Sequence, residues 1–537
     1  MSEPIVVVGS GASGVHFAQT ALERGRRVLL VDVGFGGEEP PLPHEDLNGL
    51  KDRLPDPVAY FLGRGMEALI LPGHDREYYG FPPGKDHVFR PLDGVTFRAE
   101  GFEPLVSFAR GGLAEAWTGG CYPFTAADLA EFPFAFADLL PHYERVARRI
   151  GITGIEDDLA PYFPFHEGLL PPLDADAHAA DLLASYASLR ESLRTKHRFH
   201  LGRSRSAVLS RPLDGRAACD RLGRCLWGCP TGSIYTPSIT LARLREHPRF
   251  QYVAGVRADR LRFGDGGRIR ALLGTDVATG AAREFVAGAF VLAAGTLCTS
   301  KIVLDSLRSE GGSAPALEGL SDNRQVLVPF VNTRLAGTQY EARSFQYHQL
   351  ALAIERDDPR DHVHGLITTL KTALIHPIVQ NLPVSLRAGL GAFRDLHAAL
   401  GLVNLNFPDR RRAGNRVELE EGRDGGPTRL VVSYGPDPAE PARIEATLAT
   451  LRAALRELGC VAPRGMTHVR PMGASVHYTG TLPMTAEDRP LTTDAEGRCR
   501  GFENLWIADG ATFPSLPAKN LTFTLMANAS RIAEAMS

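Results

Sequence analysis

Residues 5–32 constrain the fold of this 537-residue chain more than any other segment. An apolar run at 5–8, an amphipathic stretch and a second apolar run at 28–31 predict a strand, a helix and a second strand. Three glycines in the spacing G-x-G-x-x-G and one acid lie at the junctions: Gly9, Gly11, Gly14 and Asp32. In a βαβ unit such glycines allow a tight turn, close approach of a pyrophosphate and close helix packing, and the acid binds a ribose. The segment therefore predicts nucleotide binding.

Two polar side chains mark the C-terminal segment 472–536. His477 lies three residues before a Gly-Thr pair, and Asn520 directly precedes a run with helical period. Asn520 is predicted to be the N-cap of the last helix, and Asp509 to end an apolar strand. Taken alone, His477 is better explained as a buried structural histidine and Asn520 as a cap only. The nucleotide fingerprint at the other end of the chain favours a catalytic interpretation of both.

Together the two ends resemble the glucose-methanol-choline (GMC) oxidoreductases, a family of flavoenzymes; the resemblance is weakest between about residues 329 and 470. It implies that the fingerprint binds the ADP part of FAD. It also implies that the histidine of an H-x-x-G-T motif, here His477, faces the flavin ring with Asn520 beside it. The nearest branches are the bacterial FAD-dependent sugar dehydrogenases and the pyranose oxidases. The other cofactor-binding residues assigned on this resemblance are Arg110, Gly112, Val256, Asp509, Gly510 and Thr522.

One departure from the family pattern concerns how the cofactor is attached. Sugar-oxidising relatives carry G-G-x-x-x-H-W-T, and in some of them this histidine bonds covalently to the flavin. The chain has Ala116 at that position, directly before Trp117. Non-covalent FAD is therefore expected.

The most specific internal pattern is a cysteine triplet, Cys219, Cys225 and Cys229, spaced C-x5-C-x3-C. Thiolates so close in sequence can converge on one soft metal centre, and three ligands suit a three-iron cluster better than a closed zinc site. The segment resembles flavin subunits of bacterial membrane-associated sugar dehydrogenases, whose cysteines at this spacing hold a [3Fe-4S] cluster. The alternative is a Cys- and Gly-rich turn without metal. A cluster would imply a cytochrome or a quinone as electron acceptor.

The predicted fold class is α/β: a Rossmann-like FAD-binding domain built from discontinuous segments, plus an α+β substrate domain with an antiparallel sheet. The domains are predicted at 1–328 (FAD-binding, with a cover loop of little regular structure at 35–100 and a Cys-rich insert at 203–238), 329–470 (substrate-binding) and 471–537 (return to the FAD-binding domain). A strand at 344–350 and a long amphipathic helix at 442–458 are expected. The apolar stretch 366–403 is interpreted as core helices rather than as a membrane or partner surface.

Composition excludes several function classes. The chain has 59 Lys and Arg against 62 Asp and Glu, without the basic stripe that nucleic-acid binding needs. No apolar run approaches the ~20 residues of a transmembrane segment. The first strand starts at Ile5, which leaves no signal peptide, and three of the seven cysteines cluster, which favours a reducing compartment. We expect a cytoplasmic protein, exported only with a signal-bearing partner.

These features predict FAD-dependent oxidation of a CH–OH group to a carbonyl, on a small-molecule alcohol such as a sugar, polyol or glycoside. His477 is predicted to take the hydroxyl proton while hydride leaves for flavin N5, and Asn520 to bond the same oxygen. The alternative is a lyase on the same scaffold that uses His477 as acid and base beside a non-redox FAD. A non-catalytic FAD-binding subunit is disfavoured because both polar residues are present.

Overall fold

The computed structural model describes residues 3–37, 42–70, 77, 80–309, 311, 314–372, 374–380, 382–422 and 426–536. The α-helices are α1 (Ala12–Glu23), α2 (Leu47–Arg53), α3 (Pro57–Leu62), α4 (Asp86–Phe89), α5 (Phe136–Ile150), α6 (Ala177–His197), α7 (Pro237–Leu244), α8 (Thr296–Ser309), α9 (His376–Val379), α10 (Leu386–Leu396), α11 (Glu440–Glu457) and α12 (Thr522–Ala535). The β-strands are β1 (Ile5–Val8), β2 (Val28–Val31), β3 (Thr96–Glu100), β4 (Phe199–Arg203), β5 (Phe250–Val253), β6 (Val256–Phe263), β7 (Ile269–Asp276), β8 (Ala282–Val286), β9 (Ala289–Leu292), β10 (Leu317–Glu318), β11 (Arg324–Asn332), β12 (Leu350–Ile354), β13 (Val363–Thr369), β14 (Leu400–Phe407), β15 (Asp409–Arg410), β16 (Arg416–Glu420), β17 (Arg429–Ser433), β18 (Cys460–Val461), β19 (His468–Val469), β20 (Leu505–Ile507) and β21 (Ser515–Leu516).

A five-stranded parallel sheet, in the order β20-β9-β1-β2-β5, carries the nucleotide fingerprint. Strands β1, β2, β9 and β20 are short apolar runs that are mostly buried on both faces, whereas the edge strand β5 is partly exposed. Ile5 and Val7 of β1 pack with α1, α7 and α12, whereas Val6 and Val8 pack with α8 and the β6-β7-β8 meander. The predicted α/β class with a Rossmann-like domain is therefore confirmed.

The second large sheet is antiparallel, in the order β18-β11-β14-β13-β12-β4, and β19 also pairs with β11. One face of the sheet buries apolar side chains against α6 and α11. Helix α11 coincides closely with the amphipathic helix expected at 442–458, and Leu448, Leu451 and Leu455 face the core. The expectation of an antiparallel substrate-side sheet is confirmed.

Two local expectations were wrong in part. The predicted strand at 344–350 begins only at Leu350, because the side chain and backbone of Gln346 bond the segment around Cys225 instead of a neighbouring strand. Residues 366–403 are not core helices: they end β13 and begin β14, and α10 buries only Gly389 and Phe393.

The cover loop has more regular structure than its Pro, Gly and acid content predicts. It contains α2, α3 and α4, and β3 pairs in parallel with β17. The side chain of Asp46 caps α2 and that of Asp56 caps α3, so some of the acids that signalled a loop instead begin helices. Residues 38–41, 71–76 and 78–79 of this segment lie outside the described residues.

The domain division stays a prediction. Strand β11 begins before the predicted boundary at 328, and β4, from the first predicted domain, pairs with β12 in the second sheet. The two regions are thus joined by shared strands. None of the helices in the described ranges is both long and apolar enough to cross a membrane.

Candidate active site

A cavity of about 1100 Å³ runs from the carboxyl ends of β1 and β2 to the antiparallel sheet. The predicted site residues that line it are Gly9, Gly11, Asp32, Gly112, Val256, His477, Asp509, Gly510, Asn520 and Thr522. Gly14 and Arg110 do not line the cavity: Gly14 is buried in α1, and Arg110 is exposed. The fold thus brings residues from both ends of the chain to one space.

The fingerprint end of the cavity has the features that a bound dinucleotide needs. Gly9 has φ +98°, and a Cβ on Gly14 would lie 1.9 Å from the carbonyl oxygen of Gly9, so neither position accepts a side chain. The N-cap of helix α1 is Gly11, which makes no side-chain cap bond, and the first turn of the helix contains no acid. Its first N–H groups and positive dipole end are therefore available to an anion, and these residues fit the pyrophosphate of FAD.

Two buried acids lie at the carboxyl ends of strands of the parallel sheet. Asp32 accepts hydrogen bonds from the Ser10 hydroxyl and, at 3.3 Å, from Tyr252. Asp509 accepts from the backbone N–H of Gly295 at 2.9 Å and from the Thr299 hydroxyl at 2.6 Å, which joins the end of β20 to the start of α8. Burial raises the pKa of both carboxyls to about 6.

His477 lies in the cavity wall with 7% of its surface exposed. Its Nδ1 is 3.1 Å from Oδ1 of Asn323, and its Nε2 is 3.4 Å from Nδ2 of Asn520. Burial, and secondarily the positive charge of Arg470, lower the pKa of His477 to about 4. The imidazole is therefore neutral at physiological pH, as a proton acceptor must be.

The backbone before His477 is held in an unusual conformation. Val476 has φ +57°, a region that β-branched residues rarely adopt and that costs about 1–3 kcal/mol. The turn is fixed by Asp322, which accepts from the N–H of Gly473 at 2.6 Å and from the hydroxyl of Ser475. The Ser475 oxygen in turn accepts from the N–H of His477 at 3.0 Å. These bonds hold the imidazole against the cavity.

Asn520 is not the N-cap that its position predicts. The cap of α12 is Leu521, without a side-chain cap bond, and the Asn520 amide turns toward His477 instead. Its Oδ1 has no hydrogen-bond partner among the residues that the structure describes. The preceding Lys519 is fully buried and paired with Asp128 at 2.6 Å, which fixes the loop.

The wall opposite the fingerprint comes from the antiparallel sheet and carries polar side chains among leucines such as Leu327 and Leu402. Gln325, Asn404 and Arg470 line it, together with His348. The His348 ring lies between the hydroxyls of Thr368 (2.8 Å) and Thr118 (3.2 Å). Several hydrogen-bonding groups therefore surround a ligand bound near His477, as a polyhydroxylated molecule would require.

The cysteine triplet does not line the cavity, although Tyr347, against which it packs, does. Cys219, Cys225 and Cys229 belong to one cluster with Phe345 and Tyr347, and Cys229 contacts hydroxyls of its own turn. Burial raises the pKa of Cys219 to about 11 and that of Cys225 further. Within the described ranges, no set of three or more His, Cys, Asp or Glu residues is arranged to hold a metal ion. The [3Fe-4S] cluster stays a prediction from the cysteine spacing.

Sequence reasoning missed several residues that build the site. Asn323 and Val476 carry no local signal, because a buried amide and a positive φ become visible only in three dimensions. Lys519 did carry one: a lysine within an apolar segment needs a buried acid. Which acid it pairs with could not be read from the sequence.

The chain is similar to a family model and to known proteins. The family model described as GMC oxidoreductase matches residues 411–529, which include His477 and Asn520. The chain is 27% identical to 6'''-hydroxyparomomycin C oxidase of Streptomyces lividus and covers 91% of it, using 99% of its own length. It is 25% identical to paromamine 6'-oxidase of Streptomyces fradiae, again over 99% of this chain and 91% of that protein.

The fold is similar to that of pyridoxine 4-oxidase from Mesorbium loti, with a TM-score of 0.60, 18% identity and 99% of both chains covered. Residues 411–529 thus match the GMC oxidoreductase family model, and over its whole length the chain is similar to two enzymes that are named oxidases. These similarities identify the chain as an enzyme of the oxidoreductase type.

Proposed function

We propose that the protein binds FAD non-covalently and oxidises a CH–OH group of a sugar, polyol or glycoside to a carbonyl. The observation that carries this proposal is the pair of Nε2 of His477 and Nδ2 of Asn520, 3.4 Å apart, in a cavity that the nucleotide fingerprint also lines. When bound there, FAD would accept the hydride from the carbinol carbon.

The protein's own residues would handle the proton and the charge on oxygen. Nε2 of His477 accepts the hydroxyl proton, because its ring is neutral. The N–H of Asn520 donates to the same oxygen as negative charge develops on it. Its gap of 3.4 Å from the imidazole is long for a hydrogen bond, so a substrate hydroxyl can take up both contacts.

The polar wall supports a polyhydroxylated substrate. Gln325, Asn404 and His348 line the cavity that also contains His477, so polar side chains border the space for the substrate. The two whole-length relatives are named for oxidation of paromomycin-type compounds, which is the same broad chemistry. The lyase alternative gains no support, because the two whole-length relatives and the similar fold all carry the name oxidase.

The test is anaerobic titration with sugars, polyols and glycosides, followed by flavin absorbance. An alcohol substrate should bleach the flavin of the wild type. His477→Ala should slow this reduction by about 10²–10⁴-fold while it retains FAD, since general bases contribute that much.

The matched control is His178→Leu. His178 is also buried and its pKa is also lowered to about 4, but it packs against Phe330 outside the cavity. This variant should reduce its flavin at the wild-type rate. Normal reduction in His477→Ala would contradict the assignment of the base, and turnover of a ligand without bleaching would favour the lyase.

A further inference from the structure

We propose that Asn323 is a positioning residue that fixes His477 in one tautomer, with the proton on Nδ1 and the lone pair of Nε2 facing the cavity. This inference rests on the proposed role of His477 as base. Asn323 directly precedes β11, is 1% exposed and does not itself line the cavity. It therefore acts through the imidazole and not on the substrate.

The orientation of the Asn323 amide follows from its hydrogen bonds. Its Nδ2 donates to the carbonyl oxygens of Phe407 and Pro517, each at 2.9 Å. Carbonyl oxygens only accept, so the reverse orientation would bring three acceptors together. Amide orientations are assigned from such networks, and this network permits one assignment only.

The tautomer of His477 follows from that orientation. The remaining atom of the amide, Oδ1, lies 3.1 Å from Nδ1 of His477 and can only accept. Nδ1 must therefore carry the proton, which leaves Nε2 of the neutral ring with a lone pair. With this lone pair, Nε2 can accept a hydrogen bond from Nδ2 of Asn520, 3.4 Å away.

The same side chain also sets the distance between the two site residues. Asn323 joins the start of β11, the end of β14 at Phe407 and the loop at Pro517, and this loop leads into Asn520. A change at Asn323 therefore disturbs both the proton on the ring and the position of its partner.

The charges around the ring are few. Arg470 lines the cavity and lowers the pKa of His477. Asp322 lies on the other side, held by Gly473 and Ser475, and Asp409 packs beside it. Burial raises the pKa of Asp322 to about 7. A carboxylate at position 323 would add a negative charge directly against Nδ1–H.

Two substitutions test the proposal by flavin-reduction kinetics. Asn323→Asp should stabilise the imidazolium and shift the acid limb of the pH–rate profile upward by at least about one unit. Asn323→Ala removes the acceptor and should slow reduction by about ten- to a hundredfold with FAD retained. An unmoved acid limb in the first variant together with a wild-type rate in the second would overturn the proposal.

The matched control is Asn504→Asp. Asn504 is also buried, and its Nδ2 also donates to two carbonyl oxygens, those of Ile269 and Gly288, both at 3.0 Å. Both aspartate variants should lose similar stability, because each loses two amide donors. Only the Asn323 variant should shift the pH–rate profile; an equal shift in both would show a merely structural effect.

A measurement on the wild-type holoenzyme keeps the proposal testable if the variants do not fold. In ¹⁵N-histidine-labelled protein, the resonances missing from His477→Gln identify the His477 ring nitrogens. We expect Nδ1 protonated and Nε2 bare at neutral pH; the opposite pattern would refute the proposal. Normal flavin reduction in His477→Ala would instead overturn the proposed function, whichever tautomer is observed.

Discussion

Residue-scale chemistry centres on one imidazole between two amides. His477 has a lowered pKa because it is buried and because Arg470 is near, and the turn that carries it contains a valine at positive φ. Strained backbone of this kind persists only where surrounding contacts hold it, and it is frequent at reactive sites. The H-x-x-G-T motif identified the histidine, but the contacts that set its proton come from residues remote in sequence.

The residue-scale prediction concerns attachment of the cofactor. Ala116 lines the cavity and has no nitrogen that could bond a flavin carbon. Acid precipitation of the purified holoenzyme should therefore release all FAD into the supernatant. The check is flavin absorbance of the supernatant against the total before precipitation, and yellow colour in a washed pellet would contradict it.

Element-scale organisation is clearest at the fingerprint, where α1 meets β1. A Cβ on Gly14 would lie 1.9 Å from the Gly9 carbonyl, whereas a Cβ on Gly11 would lie 4.0 Å from the nearest protein atom. Gly14 thus permits close packing within the protein, and Gly11 keeps space free in the cavity.

These two positions make a matched pair of variants. Gly14→Ala should force α1 away from β1 and reduce the unfolding free energy of the FAD-free protein by about 1–3 kcal/mol. Gly11→Ala should leave that stability unchanged but weaken FAD binding by about tenfold, since its methyl group enters the pyrophosphate space. Urea unfolding and FAD titration separate the effects; wild-type FAD affinity in Gly11→Ala would argue against this binding site.

The cysteine segment 219–229 is the second element with a testable prediction. On the C-x5-C-x3-C spacing, anaerobically purified protein should contain about three iron atoms per flavin and show a broad brown absorbance. Cys225→Ser should lose both, whereas Cys460→Ser, at a buried cysteine outside the triplet, should keep them. A pale yellow, iron-free wild type would assign the triplet to structure and leave oxygen or a soluble acceptor as the terminus.

Whole-molecule stability should depend on pH through buried histidines. Burial lowers the pKa to about 4 in five of them: His142, His178, His348, His397 and His477. The folded protein then binds fewer protons than the unfolded chain between pH 6.5 and 4, so stability falls as the pH falls through this window. Three aspartates with raised pKa values, Asp32, Asp322 and Asp509, act in the opposite direction but are fewer.

The matching prediction is that the unfolding free energy decreases from pH 7 to pH 4.5. Between pH 7 and pH 4.5, the unfolding free energy of His178→Leu should fall by about 2–3 kcal/mol less than that of the wild type. The reason is that the variant lacks the His178 imidazole, whose pKa in the folded protein is about 4. Urea unfolding at several pH values measures both. Equal slopes in the two proteins would contradict the role of His178.

Much of this molecule was determined by local sequence. The βαβ unit followed from residues 5–32, because its glycines and apolar runs act on their immediate neighbours. Helix α11 followed from its period, since an amphipathic face needs only one sheet to cover it. The histidine motif and the acid at the end of β20 were also visible in short segments.

Tertiary structure alone decided how these pieces act together. The amide of Asn520 faces the imidazole of His477 rather than a helix N-terminus. Carbonyl oxygens from two distant segments orient the amide of Asn323, which in turn places the proton of the imidazole on Nδ1. Residues 344–349 do not form the predicted strand, because polar groups of Gln346 and Gln349 make hydrogen bonds outside a strand ladder. Hydrogen-bond partners and burial depend on contacts between segments far apart in sequence, so periodicity and spacing within one segment cannot specify them.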